Sequence, residues 1–135
     1  MKISGTYQVK KWDEKPYDII EDRMKMTKAS VEYLFSGDIE GTANVEGVMF
    51  YKSFDPKDPH KAEAQYVGLI KITGKLKGRS GSFTLTDNGK FEAGTATSTL
   101  KIIAGSGTGE LSRISGTGSY KADKNLYAYE MDVSL

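Results

Sequence analysis

Seven of the eight tyrosines (Tyr7, Tyr33, Tyr51, Tyr66, Tyr120, Tyr127 and Tyr129) fall in segments where polar and apolar residues alternate. Most share a parity with aliphatic neighbours: Tyr7 with Ile3 and Val9, Tyr33 with Val31, Tyr129 with Met131. A buried phenol needs a hydrogen-bond partner, so such an interior suits water or a polar ligand better than a dry aliphatic one would. The plainer reading is that tyrosine favours strands and its hydroxyl reaches a rim. Glu46, in "TANVEGVMFY", is the candidate for catalysis. Simple alternation puts it outside with Glu40 and Asn44. If Gly47 brings a bulge that turns Glu46 inward, burial raises its pKa and makes it a general acid or base. Glu130 and Asp132 stand too close together for the opposed carboxylates of a glycosidase, and a solvated face explains them.

Arg79, in "KGRSG", carries a guanidinium fork that suits bidentate capture of a carboxylate at a barrel mouth, although its turn position favours a solvated arginine. Trp12 either plugs one barrel end or lines a pocket there. Together with Tyr51, Tyr66, Tyr127 and Tyr129, these two form the candidate ligand-binding set. His60 is the only histidine, lies in a proline loop beside Asp58 and Lys61, and is expected at the surface. A single histidine offers no His-based metal pair and no catalytic triad. No metal and no cofactor is expected.

The stretch "GSGTGELSRISGTGSY", residues 105–120, raises the question of a phosphate loop. The dinucleotide fingerprint needs glycines at relative positions one, three and six, yet the sixth position from Gly105 is Glu110 and from Gly107 is Ser112. No Gly-Lys-Ser/Thr tripeptide occurs, and no helix is predicted to follow. The expected roles are architectural: "SGTG" closes one strand, "ELSRI" turns, and "SGTGSY" opens the next.

Period two dominates elsewhere. "YAYEMDVSL", "ASVEYLF" and "SGSFTLT" each alternate as half-buried strands do. Turn signals divide the chain into strands near 2–11, 24–36, 38–54, 63–76, 80–87, 90–103, 114–122 and 125–135. Asn88-Gly89 is the expected type I′ hairpin pair. Pro56 and Pro59 mark a longer loop, and residues 13–23, "DEKPYDIIEDR", lack strand character. Interior glycines (Gly5, Gly47, Gly68, Gly94, Gly118) suit the bends by which a sheet curls. Closure removes the exposed edges of a meander. The expected fold is therefore all-β, an eight-stranded antiparallel up-and-down barrel in one domain spanning 1–135. An open sandwich is the alternative.

The net charge of +1 makes no electrostatic case for nucleic acid or an anionic membrane surface. The N-terminus lacks the apolar core of a signal peptide, and no window approaches a membrane span. The absence of cysteine excludes disulfides and a thiol nucleophile, and is compatible with a reducing cytoplasm. A cytoplasmic location is expected.

The segments "SGTYQVKKWDEKPY", "FSGDIEG", "VGLIKITGKLKGRSGSFTL", "AGSGTGEL" and "SGTGSY" together resemble a bacterial family of unknown function. Its members are similar in fold to the allene oxide cyclase-like, calycin-like barrels. The resemblance runs from residue 4 to the C-terminus and implies an eight-stranded antiparallel barrel, with no established activity. Lys71 stands where an acidic residue is expected in the family's "VGL" strand, so no role resting on that carboxylate carries over. Three functions follow as expectations. The first is a barrel binding a small amphipathic ligand. The second is an isomerase- or cyclase-like enzyme in the same cavity. The third is a homo-oligomeric interaction module with a filled barrel. An open or a filled interior separates the third from the other two.

Overall fold

The computed structural model describes the backbone of residues 1–135 and every side chain except that of His60, so the expectation for His60 lies outside the described side chains. Eight strands form a closed barrel in chain order: β1 (Lys2–Glu21), β2 (Met24–Gly37), β3 (Ile39–Asp55), β4 (Asp58–Leu76), β5 (Arg79–Glu92), β6 (Thr95–Ile102), β7 (Ser115–Ala122) and β8 (Tyr127–Ser134). All neighbours are antiparallel, and β1 closes on β8 from Lys2↔Asp132 to Thr6↔Ala128. The up-and-down barrel is therefore observed and the sandwich is not. The one helical turn is a 3-10 element, Gly109–Leu111, and no helix is long and apolar enough to cross a membrane.

Alternation sorts the side chains as the period-two pattern requires. Ala29, Val31, Tyr33 and Phe35 of β2 are buried, as are Tyr129, Met131 and Val133 of β8. Up-and-down connectivity places the β2–β3, β4–β5 and β6–β7 connections, with both termini, at one end. That end is sealed. β6 pairs with β5 only from Leu85 onward, and the glycine-rich connection takes over along the remainder of β5. Ser106 Oγ accepts from Thr84 N at 3.1 Å and donates to the Ile103 carbonyl at 2.6 Å. Ser82 N donates to Thr108 Oγ1 at 3.0 Å, and Thr108 N returns a bond to the Ser82 carbonyl. This pairing swings Leu111 and Ile114 into the barrel end, where both are buried. Each such aliphatic contributes roughly 1.5–3 kcal/mol on burial. The stretch is thus architectural, although "SGTG" lies in the connection rather than closing a strand.

Four expectations need correction. Residues 13–21 continue β1 instead of forming a loop, because Asp13↔Ser30 through Glu21↔Met24 keep pairing with β2. Pro59 lies within β4, on a stretch paired only with β3, where no ladder bond from its nitrogen is required. β6 begins at Thr95 rather than near residue 90, because β5 runs on to Glu92. Consequently Asn88-Gly89 is mid-strand, opposite Thr99 and Ser98. The hairpin turns instead at Ala93-Gly94, with φ of +52° and +78°, the two positive values a type I′ turn needs. Gly89 is small for a different reason: a Cβ there would meet Ser98 Oγ, the Thr97 carbonyl and the Tyr66 ring.

Alanine in the left-handed region is strained by on the order of 1 kcal/mol, whereas asparagine tolerates it. Ala93→Asn is expected to raise stability by about 0.5–1 kcal/mol, read as a higher urea midpoint with unchanged slope. A lowered midpoint would show that the turn is not type I′.

Candidate functional site

The opposite half of the barrel is not filled. A cavity of about 690 Å³ opens at the end carrying the β1–β2, β3–β4, β5–β6 and β7–β8 turns. Its walls are made of small inward residues, among them Ala29, Ala62, Ala64, Ala96 and Ala122, with Gly47 paired to Gly68. These positions face the lumen by the same alternation that packs isoleucine, leucine and phenylalanine at the sealed end. Small side chains there leave the room that large ones would occupy.

The mouth depends on one irregularity in β1. Val9 pairs with Tyr33 but Lys11 pairs with Glu32, so Lys10 is an extra residue and the strand's parity reverses. Beyond the bulge Trp12 stands opposite Val31 and Glu14 opposite Ala29, both on the inner row. Glu14 gathers three donors: the Thr27 hydroxyl at 2.7 Å, the Tyr51 hydroxyl at 2.6 Å and Trp12 Nε1 at 3.0 Å. Trp12 remains 50% exposed, as a residue at a lip should be. Lys25 places its ammonium 4.1 Å from the Phe54 ring centre and 4.9 Å from that of Tyr51.

The floor is a cluster of phenols around one carboxylate. Tyr7 packs against Tyr33, Tyr120 and Tyr127 in tilted or edge-on contacts with ring centres 4.8, 5.6 and 5.4 Å apart. Asp87 is only 4% exposed. Its Oδ2 accepts from the Tyr120 hydroxyl at 3.1 Å; that hydroxyl also lies 3.1 Å from the Tyr66 hydroxyl, which is 2.7 Å from Ser98 Oγ. Each hydroxyl has one proton, and that of Tyr120 is within reach of both Asp87 Oδ2 and the Tyr66 hydroxyl. Asp87 Oδ1 is buried without any hydrogen-bond partner. Burial pushes the Asp87 pKa up to about 6, opposed in part by the Ser98 and Tyr120 hydroxyls. Burial also raises the phenols of Tyr7, Tyr33, Tyr66 and Tyr120, which stay neutral at ordinary pH.

Of the sequence candidates, Trp12, Tyr51, Tyr66 and Tyr127 line this cavity. The other three lie elsewhere. Tyr129 belongs to the sealed half, where its hydroxyl accepts from Ile39 N at 2.9 Å and donates to the Ser36 carbonyl at 3.3 Å. Arg79 is exposed at the start of β5, also at the sealed end, because its turn follows Leu76 and not the mouth. Glu46 is on the outer face and accepts from Ser30 Oγ at 2.7 Å; β3 has no bulge at Gly47 to turn it inward. Four carboxylates line the cavity, Asp87 at the floor and Glu14, Asp55 and Asp123 toward the mouth, and none of them is in the candidate set. Asp87 continues the inward row Phe83, Leu85, but the adjacent Asn-Gly pair reads as a turn. Glu14 sits in the acidic run whose composition resembles a loop.

An aspartate whose folded pKa lies above its unfolded value binds more protons when folded between those two values. Its stability contribution is therefore intact below about pH 4 and is lost as pH rises toward about 6. Asp87→Asn mimics the protonated form. It is expected to be more stable than wild type by about 1–3 kcal/mol at pH 7.5, with the difference vanishing near pH 4. Urea denaturation at both values tests this, and an equal difference at both would refute the buried-charge account.

The chain matches a family of proteins of unknown function (DUF3224) over residues 3–133. No curated protein matches it. Among solved structures, it is similar to a protein of unknown function of the DUF3224 family from Shewanella oneidensis MR-1, with a TM-score of 0.77 and 22% identity. That similarity covers 100% of this chain and 96% of the other, and at this identity it speaks for the fold. A closed eight-stranded barrel and a family match spanning nearly every residue lead to one conclusion: the chain belongs to the DUF3224 family.

Proposed function

We propose that this chain is a cytoplasmic small-molecule-binding barrel whose ligand is amphipathic and sits in the open half of the lumen. One observation carries the reading: a cavity of about 690 Å³, apolar in its walls and polar at a few converging points. Ligand sites typically occupy roughly 300–1,000 Å³ with that division of surface. Eight-stranded barrels lie at the boundary between a filled interior and one holding a single small ligand. Here Ala64, Ala96 and the Gly47–Gly68 pair set the balance toward space. The filled-barrel module loses its premise in this half. An acid–base role for Glu46 has no support in its outward position.

The test fills the cavity without touching its polar groups. Ala64 is buried on the inner row of β4 beside that space. Ala64→Phe is expected to weaken binding of the neutral dye N-phenyl-1-naphthylamine by about tenfold or more, while the far-UV spectrum and melting temperature hold. Dye emission and quenching of Trp12 report binding. Dye that binds wild type and variant equally, or that binds neither, would remove the reading.

A further inference from the structure

Asp87 is a buried carboxylate with no cation. Among the described residues no lysine or arginine lines the floor; the lysines along the cavity, Lys25 and Lys124, are at its mouth. Buried charges are ordinarily paired, since an uncompensated one costs several kcal/mol. Asp87 Oδ2 has the Tyr120 hydroxyl, while Oδ1 has no donor at all. The aspartate is more than nine-tenths buried and belongs to the cavity wall. Phenol rings from β1, β2, β7 and β8 are packed together on the same floor. A carboxylate among aromatic faces is a setting that attracts ammonium groups, through ion pairing and through the negative faces of the rings. The mouth shows the same chemistry within the chain, where the Lys25 ammonium rests over Tyr51 and Phe54.

We propose that the ligand is an amine: an apolar body carrying a protonated nitrogen that enters first and pairs with Asp87, its alkyl or aryl remainder lying along the alanine and glycine walls. This rests on the ligand-binding reading and adds the charge and orientation of the ligand. An anionic head group, such as a fatty-acid carboxylate, is disfavoured at this floor by Asp87 itself. The titratable groups facing Asp87 are the phenols Tyr7 of β1, Tyr33 of β2, Tyr66 of β4 and Tyr120 of β7, and burial holds all four protonated. Ser98 of β6 does not titrate. Asp87 is thus the group on the floor that changes charge between pH 5 and 7.5, and the amine preference follows that change.

The experiment displaces N-phenyl-1-naphthylamine from the protein with decylamine, decanol or decanoate. At pH 7.5 decylamine is expected to displace the dye at concentrations about tenfold or more below decanol, with decanoate poorest, in keeping with a charge-assisted buried bond. Asp87→Asn should bring decylamine to within about threefold of decanol, each displacement being scaled to that variant's own dye affinity. Wild-type protein at pH 5.0 should do the same, since the amine stays protonated while Asp87 gains a proton. A decylamine preference that survives in Asp87→Asn would move recognition to the mouth carboxylates and overturn the proposal. Equal displacement by all three in wild type would overturn it while leaving the binding reading intact. Failure of the dye to bind wild type would remove both.

Discussion

A barrel of eight strands encloses a lumen that its own inward side chains must fill or leave open. That constraint is met differently at the two ends of this molecule. Toward the sealed end Ile3, Ile39, Leu76, Phe83 and Leu85 point inward, and Leu111 and Ile114 close the lumen from the glycine-rich connection. Toward the mouth the same rows carry alanine and glycine. The floor between the two halves is where tyrosines accumulate. Aromatic rings fill the width of the lumen, and their hydroxyls need a polar environment that neither the sealed core nor an alkyl wall offers. The chain of hydroxyls ending on Asp87 follows from that need.

Asp87 has to be understood together with this floor. Its placement costs stability in the unliganded protein, because one oxygen lacks a donor and no basic side chain offsets the charge. Residues that sacrifice folding free energy inside a cavity are candidates for function on physical grounds. Glu14 makes the opposite case. It receives three hydrogen bonds and orders the lip of the mouth, so its role is to hold Trp12 and Tyr51 in position.

Much of the architecture was legible from the residues alone. Strands such as "YAYEMDVSL" and "ASVEYLF" alternate strictly, and Gly37-Asp38 and Lys77-Gly78 punctuate them where the chain does turn. The illegible parts have identifiable causes. A bulge is a one-residue backbone event with no compositional signature, so nothing in "QVKKWDE" announced that the parity would reverse at Lys10 and bring Glu14 inward. Asn88-Gly89 has the chemistry of a tight turn but is held straight by ladders on both sides, so Asp87 was hidden beside a false turn. Ala93, an unusual occupant of the left-handed region, gave no warning of the real one. Of the candidate site, Trp12 was legible as a large aromatic at a strand end and Tyr51 as one of the strand tyrosines, whereas Glu14 and Asp87 depended on the bulge and the false turn.

The unequal strand lengths have a consequence for how the molecule behaves among its copies. β1 is bonded to β8 only as far as Thr6, while its pairing with β2 continues to Glu21. From Gln8 onward one side of β1 presents backbone groups with no neighbouring strand, so the closure that hides every edge at the sealed end is undone near the mouth. An uncovered edge of that length is a template for intermolecular β-pairing. This one is spoiled as a template along its length: by register shifts between Val9 and Lys11, Pro16 and Asp18, and Ile19 and Glu21, by Pro16 itself, and by the charges of Lys10, Lys11, Asp13, Lys15 and Asp18. The bulge that aims Trp12 and Glu14 at the cavity is also the first of these interruptions. Straightening β1 at Lys10 would cost the chain its lip and, with it, a safeguard against aggregation.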